Sequence, residues 1–322
     1  MRQFAKPTIV VSKCLEFDAC RYNGEMIPDV TIRNLQPFVT FIPVCPEVEI
    51  GLGTPRETIR IVEENGENRL VQPSTREDVT EKMEQFSNDF LQTIPDVDGF
   101  ILKNRSPSCG TRDVKIYSGF EKAPAKGKGS GLFGGAVVKK FSHLPIEEEG
   151  RLSNFIIREH FFTRLFTIAY YKMIKHNKNM KDLVSFQSDN KYLFMAYNQV
   201  KQKELGRIIA NHKNEKIEVV FENYEKTLYE LFMRTPRYTS NVNVCEHIFG
   251  YFKTKLKKQE KDHFLDLIQK YKEKKSPLSS ILAILKSWAL RFDEKYLLRQ
   301  TYFEPYPEAL VEISDSGKGR DY

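Results

Sequence analysis

Five cysteines stand in this chain, at Cys14, Cys20, Cys45, Cys109 and Cys245, and four of them fall in the first 109 of its 322 residues. An odd count in a long chain argues against a disulfide framework. Thiols gathered this way bind metal or do chemistry, or else serve as small buried hydrophobes. Their spacing separates the options. Cys14 and Cys20 bracket the segment CLEFDAC, Cys45 lies in PVCPEVEIG, and Cys109 lies in SPSCG. None of these has the C-x2-C spacing of most structural zinc sites, and no C-x2-C-x2-C ferredoxin run is present. Soft thiolates drawn from distant parts of a chain can still hold an iron–sulfur cluster. Three thiolates on a cubane leave one iron open as a Lewis acid for a soft atom such as sulfur.

The elements that would position these thiols are short. TIVVSK (8–13), FVTFIPV (38–44), ETIRIV (57–62) and GFILK (99–103) are β-branched or aromatic runs bounded by turn residues, which predicts strands. DVTEKMEQFSNDFLQTI (78–94) carries Val79, Met83, Phe86, Phe90 and Leu91 at helical spacing, with Asp78 and Thr80 available as caps. Strands alternating with helix predict a largely parallel, Rossmann-like α/β sheet, in which function gathers at the carboxyl ends of strands. Cys14, Cys45 and Cys109 each follow a different one of these strands. All three are therefore expected on one sheet edge, with Cys109 in a tight Ser-Pro-Ser turn.

The Gly- and Lys-rich stretch around EKAPAKGKGSGLFGG (121–135) has no periodicity and reads as a linker, with no GxxxxGK[ST] phosphate loop. The division expected is a catalytic domain over 1–121, a linker over 122–130 and an all-α helical bundle over 131–322. A long amphipathic helix is expected from Glu147 to about His176, with Glu147, Glu148 and Glu149 in its first turn facing the helix dipole. Further helices are expected near 190–210, 215–234, 241–257, 260–273 and 277–294.

Charge differs between the two parts. Residues 1–122 hold 15 Lys+Arg against 19 Asp+Glu, and the rest hold 35 against 24. A basic helical part fits either a polyanionic partner or a solvated lysine-rich surface. Its densest cationic run holds Lys255, Lys257, Lys258 and Lys261, candidate contacts for nucleic acid. Arg21 and Arg56 fit a phosphate, a base or a carboxylate. Cys245 and His247 stand two apart on a helical pattern, so they face different sides and Cys245 reads as a core thiol. No apolar run approaches the ~20 residues of a membrane helix, and the opening MRQFAKPTIVVSKC lacks a signal-peptide pattern. A cytoplasmic protein without membrane contact is expected.

SKCLEFDACRYNG, FIPVCPEVEIGLGTPRE, DVTEKM, DGFILKNRSPSCG and IYSGF follow one another in the order found in the thiouracil desulfidase (TudS-like) family, which this region resembles. From about Gly131, GLFGGAVVKKFSHLPIEEEGRLSN, REHFFTRLF, KYLFMAYNQ, LGRIIA, HIFGYFKTKL and PLSSILAILKSW resemble the helical YbgA-type domain. The combination is similar to the fused desulfidases of the RudS type, which act on thiolated uridine in tRNA. The resemblance implies a 4Fe-4S cluster held by Cys14, Cys45 and Cys109, with Cys20 structural or supporting. It implies Glu47 as acid/base and Ser106 as the residue that aligns water or substrate. The implied reaction is hydrolytic desulfuration of a thiolated uridine in tRNA, 4-thiouridine foremost, with the thiocarbonyl sulfur on the open iron. The sulfur acceptor and any cluster-regenerating partner stay unnamed. This chain has CLEF where the family commonly has CLLG, with the cysteine spacing unchanged. Two other readings remain open: a desulfidase of free thiouracil or thionucleosides, and a non-catalytic RNA-binding protein with a structural cluster.

Overall fold

A computed structural model describes residues 2–120, 123–210 and 214–312. Among these, the strands in chain order are β1 (Thr8–Ser12), β2 (Thr40–Val44), β3 (Arg60–Glu64), β4 (Glu67–Gln72), β5 (Glu77–Asp78), β6 (Gly99–Leu102), β7 (Val114–Tyr117), β8 (Ala125–Gly129) and β9 (Ile146–Glu148). The first helices are α1 (Val30–Leu35), α2 (Pro46–Glu49), α3 (Thr80–Thr93), α4 (Leu132–Phe141), α5 (Glu149–Leu152) and α6 (Phe155–Asn177). The chain divides into two compact units between Ala169 and Tyr170, within α6, and the described residues from Ala309 onward belong to the first unit.

The first unit holds two sheets. One is four-stranded and parallel, in the order β2-β1-β6-β9. The other runs β5-β4-β3-β7-β8 and is antiparallel except where β3 meets β7. Ile9, Val10 and Val11 of β1 and Phe100, Ile101 and Leu102 of β6 are fully buried. Such continuous apolar runs are what a parallel strand covered on both faces requires. The chain leaves β1 for β2 on one side and later enters β6 on the other. The strand order therefore changes direction beside β1. The register pairs Ser12 with Val44 and Val11 with Ile101, so three strands end close together in the direction of Cys14, Cys45 and Cys109.

Helix α3 forms as its spacing predicts. Val79, Met83 and Leu91 are buried, while Phe86 and Phe90 pack on Phe133 of α4. The Asp78 carboxylate accepts the Thr80 N–H at 2.9 Å, satisfying one of the orphan donors at the helix start. Thr80 itself accepts the Leu70 N–H and ties the helix to β4.

Three expectations differ from the structure. Residues 125–129, read as linker, form edge strand β8, antiparallel to β7. Candidate linker residue 122 lies outside the described residues, as do 211–213 and 313–322 of the stretch assigned to the helical domain. The unit boundary falls some forty residues later than expected, between Ala169 and Tyr170. Glu147 and Glu148 do not open a helix but sit on β9, parallel to β6. The buried Glu148 carboxylate accepts the N–H groups of Thr111 and Arg112, so unpaired backbone donors of a neighbouring loop outweigh a helix dipole.

In the second unit the helices are α7 (Met180–Asp189), α8 (Lys191–Tyr197), α9 (Gln199–Ala210), α10 (Ile217–Leu231), α11 (Tyr238–Gly250), α12 (Lys258–Lys272), α13 (Leu278–Arg291) and α14 (Lys295–Leu298), and no strand occurs among its described residues. The pattern at 190–210 resolves into two helices because the Asn198 side chain accepts the N–H groups of Val200 and Lys201 and starts a new turn. The core is aromatic: Tyr171 stacks on Tyr224 at 5.5 Å, and Phe249 on Phe264 at 4.5 Å beside Trp288. Cys245 lies wholly buried in that core, 3.8 Å from the Tyr302 hydroxyl. No helix among the described residues is long and apolar enough to cross a membrane.

Candidate active site

Cys14 follows β1, and its carbonyl accepts the Ile27 N–H at 2.8 Å, folding the intervening loop back over the strand end. Glu16 takes the left-handed conformation (φ 69°), and its carboxylate holds the Asp29 N–H and the Arg33 guanidinium. The CLEF variant thus keeps a turn directly after the cysteine. The loop carries Cys20 inward, where it is buried. Cys45 follows β2 and caps α2, with Pro46 as its first residue and its carbonyl accepting the Val48 and Glu49 N–H groups.

Cys109 follows β6 in a turn fastened at many points. Arg105 is left-handed (φ 55°), and Gly110 N–H closes on the Ser106 carbonyl at 2.9 Å. The carbonyls of Pro107 and Ser108 accept N–H groups of Leu132 and Gly134 at the start of α4. That contact depends on glycine. A Cβ at Gly134 would stand 2.3 Å from the Cys109 carbonyl oxygen, and one at Gly131 2.5 Å from that of Ser108. The glycines that suggested a linker are thus the surface on which the Cys109 turn is seated.

All five cysteines are free thiols. Cys14, Cys45 and Cys109 are close enough to influence one another's ionisation, and Cys20 joins them. Burial, then the neighbouring Cys45, pushes the Cys14 thiol up to about 12. Burial also raises Cys109, against a hydrogen bond with the Ser12 side chain that favours its thiolate. Cys45 moves the other way, down to about 7, because the Cys20 thiol hydrogen-bonds its sulfur. Cys20 is raised by the same bond and remains the protonated partner. Among the described residues no three His, Cys, Asp or Glu side chains gather tightly enough for one metal ion. Soft thiol donors, Cys45 and Cys109 buried and Cys14 half-buried, suit an iron–sulfur cluster.

Beside the thiols stands one carboxylate. Glu47, on α2, receives Nε and Nη2 of Arg56 on Oε2 at 2.9 and 2.6 Å. The Arg56 side chain is 4% exposed and that of Glu47 13%. Its Oε1 accepts the Ser108 hydroxyl at 2.6 Å and faces the Ser106 hydroxyl at 3.5 Å. The two serine oxygens are 2.9 Å apart, and Ser106 Oγ also accepts the Cys109 N–H at 3.1 Å. Glu47 therefore ties the loop of Cys45 to the turn of Cys109, and a hydroxyl chain runs from it to half-buried Ser106. Arg56 also donates to the Cys20 and Gly53 carbonyls. It serves a carboxylate and two backbone carbonyls rather than a phosphate, and Arg21 likewise pairs with Glu25.

Ser108 and the Arg56–Glu47 pair are site features that the sequence reading did not identify. Lys103 is a third. It pairs with Glu149 at the start of α5 and sits near enough to Cys14 to favour its thiolate. The four candidate lysines lie apart from this site in sequence and unit. Lys255 is paired with Glu294, Lys257 and Lys258 are exposed, and Lys261 is half-buried on α12.

Residues 9–149, which contain Cys14, Cys20, Cys45, Cys109, Glu47 and Ser106, match a family model described as 2-thiouracil desulfurase. Residues 191–307 match one described as a protein of unknown function (DUF1722). YbgA of Escherichia coli K12 is 24% identical over 156 residues, 48% of this chain and 92% of that protein. YbbK of Bacillus subtilis is 36% identical over 118 residues, 34% of this chain and 77% of that protein. A solved structure described as a 4Fe-4S-dependent thiouracil desulfidase, TudS, matches with a TM-score of 0.35 and 26% identity, over 46% of this chain and 93% of that one.

Proposed function

We propose that this chain, which belongs to the 2-thiouracil desulfurase family, hydrolyses the thiocarbonyl of a thiolated uridine in tRNA, 4-thiouridine foremost, to the carbonyl of uridine. One observation carries the chemical part: an Arg-paired, partly buried carboxylate and a two-serine chain share a rim with three thiols at three adjacent strand ends. Cys14, Cys45 and Cys109 would hold a 4Fe-4S cluster, which would supply a Lewis acid and acceptor for the soft sulfur.

The chain's own residues handle water and protons. Water must add to the ring carbon as the C–S bond breaks, and sulfur leaves as sulfide with no net oxidation. Arg56 fixes Oε2 of Glu47 and leaves Oε1 directed at the serines. Ser106, on the accessible end, aligns water or substrate. Ser108 links that hydroxyl to Glu47, which takes the proton that water gives up and returns it to the leaving side.

The RNA part rests on charge. Residues 170–322 carry 28 Lys+Arg against 20 Asp+Glu, and exposed Lys257 and Lys258 head α12. The test is purification without oxygen, iron and acid-labile sulfide analysis, then incubation with thiolated tRNA. Sulfide release matched by loss of the thionucleoside is expected. One tightly bound zinc and no iron would overturn the cluster. Turnover of free thiouracil but not of thiolated tRNA would replace RNA by a free base.

A further inference from the structure

We propose that the first unit carries its own RNA-binding groove, next to the site, in which Arg60, Arg105, Lys115 and Lys128 hold backbone phosphates flanking the thiolated nucleotide. This rests on the tRNA desulfidase reading above and places part of the polyanion contact away from the helical unit. A cavity of about 500 Å³ lies over β3, β7 and β8 and is walled on one side by Arg105 and Pro107. Those two residues flank Ser106, so the groove and the site share one turn.

Four cations and one carboxylate, Asp113, line it. Asp113 pairs with Lys128 at 3.1 Å and feels Arg105 and Arg112 as well, so cations converge on one anionic position. The concentration is local. Residues 1–169 hold 22 Lys+Arg against 23 Asp+Glu, yet residues 105–128 hold six against two. The Arg60 guanidinium lies over the Tyr117 ring, 4.8 Å from its centroid, and Arg and aromatic faces are what unpaired bases stack on. Strand β8 is a sheet edge, and Gly127, next to Lys128, leaves open space where a side chain would stand. Lysines on an edge strand also deter strand pairing. That role accounts for Lys126 and Lys128 but not for Arg60, Arg105 and Lys115, which reach the groove from other segments.

The experiment measures binding of a fluorescent, unmodified tRNA transcript to the full chain by anisotropy over a range of salt. Each lost phosphate contact should flatten the log–log slope by roughly 0.7–0.9. The double variant Lys115→Gln/Lys128→Gln should flatten it by roughly 1.4–1.8, and Arg105→Asn, whose residue tolerates the left-handed backbone, by roughly 0.7–0.9. The equal charge loss Lys6→Gln/Lys82→Gln, at exposed positions outside the groove, should leave the slope unchanged. Slopes unmoved by both groove variants, or moved as much by the control, would overturn the groove. So would a slope carried wholly by Lys255, Lys257, Lys258 and Lys261. Displacement of tRNA by polyglutamate without a salt-dependent groove contribution to RNA binding would mark an acidic-protein dock instead. Because the RNA is unmodified, the readout does not depend on desulfuration, whose own failure would show separately as absence of sulfide.

Discussion

Gly134→Ala tests whether the Cys109 turn is seated on α4 by the lack of a side chain. A Cβ there would lie 2.3 and 2.4 Å from the carbonyl oxygens of Cys109 and Gly110, backbone atoms that cannot rotate away. Ordinary contact begins near 3.4 Å, so turn and helix must part by about 1.1 Å, the difference between the two distances. Gly135 is the internal control. Its Cβ would meet only the Ser130 side chain, at 2.6 Å to the hydroxyl, which can swing aside. Both substitutions gain about 0.8–1.0 kcal/mol of helix propensity. That gain cancels between them and leaves the overpacking cost of ~1–3 kcal/mol on Gly134→Ala alone. In urea unfolding of the metal-free proteins, followed by far-ultraviolet circular dichroism, Gly134→Ala should be less stable than Gly135→Ala by that amount. Reconstitution should give the Gly134 variant markedly less iron, because its displaced turn carries Cys109. Equal stability and equal iron loading in the two variants would refute the reasoning.

Glu47→Ala and Ser106→Ala should lose roughly 10²–10⁴-fold in turnover while binding iron normally, since neither supplies a thiolate; sulfide release against iron content per chain checks this. Arg56→Met should cost about 3–5 kcal/mol in urea unfolding, because it strands the partly buried Glu47 carboxylate and leaves the Cys20 and Gly53 carbonyls without their donor. Thiolate absorbance of the metal-free protein should show one group titrating near 7, assigned to Cys45, and Cys20→Ala should move it upward. The sign follows from the lowered folded value: this thiolate's contribution to stability is full above the unfolded thiol value near 8.5 and is lost as pH falls through 7. Cys14→Ala, Cys45→Ala and Cys109→Ala should each abolish stable iron binding, whereas Cys20→Ala should retain much of it, measured after anaerobic reconstitution.

What the sequence made legible follows from how each signal is written. Strands β1, β2 and β6 are runs of buried β-branched and aromatic residues, so their ends, and hence three cysteines, could be placed by counting. Strands β8 and β9 could not. AKGKG has no apolar alternation, because it is an exposed edge whose pairing is carried by backbone alone. IEEE has a helix-start composition, and only the buried N–H groups of Thr111 and Arg112 explain why Glu148 sits on a strand. Ser106 was found through its motif, but Ser108 carries the shorter bond to Glu47, and nothing local distinguishes two serines flanking one proline. Their difference is burial, which is a property of the folded turn. Arg56 was equally open between phosphate and carboxylate until Glu47 was placed nine residues away on the other side of a loop.

Charge shows the same dependence on tertiary structure. Divided at the apparent linker, the chain reads as −4 against +11, an acidic catalyst joined to a basic binder. Divided where the units separate, the same residues give −1 against +8. The linker division cuts through the run from Arg105 to Lys128 and assigns two of its six cations, Lys126 and Lys128, to the wrong unit. Restored to the first unit, Lys128 lines the groove beside Ser106 together with Arg60, Arg105 and Lys115. A phosphate held there would fix the distance between the RNA backbone and the catalytic turn, because Arg105 and Ser106 are consecutive on one rigidly fastened loop. Positioning of this kind raises rate only for a substrate that has a backbone to be held. A free thiobase gains nothing from it, so the groove, more than the overall charge of the helical unit, is where selection between RNA and free base would be built.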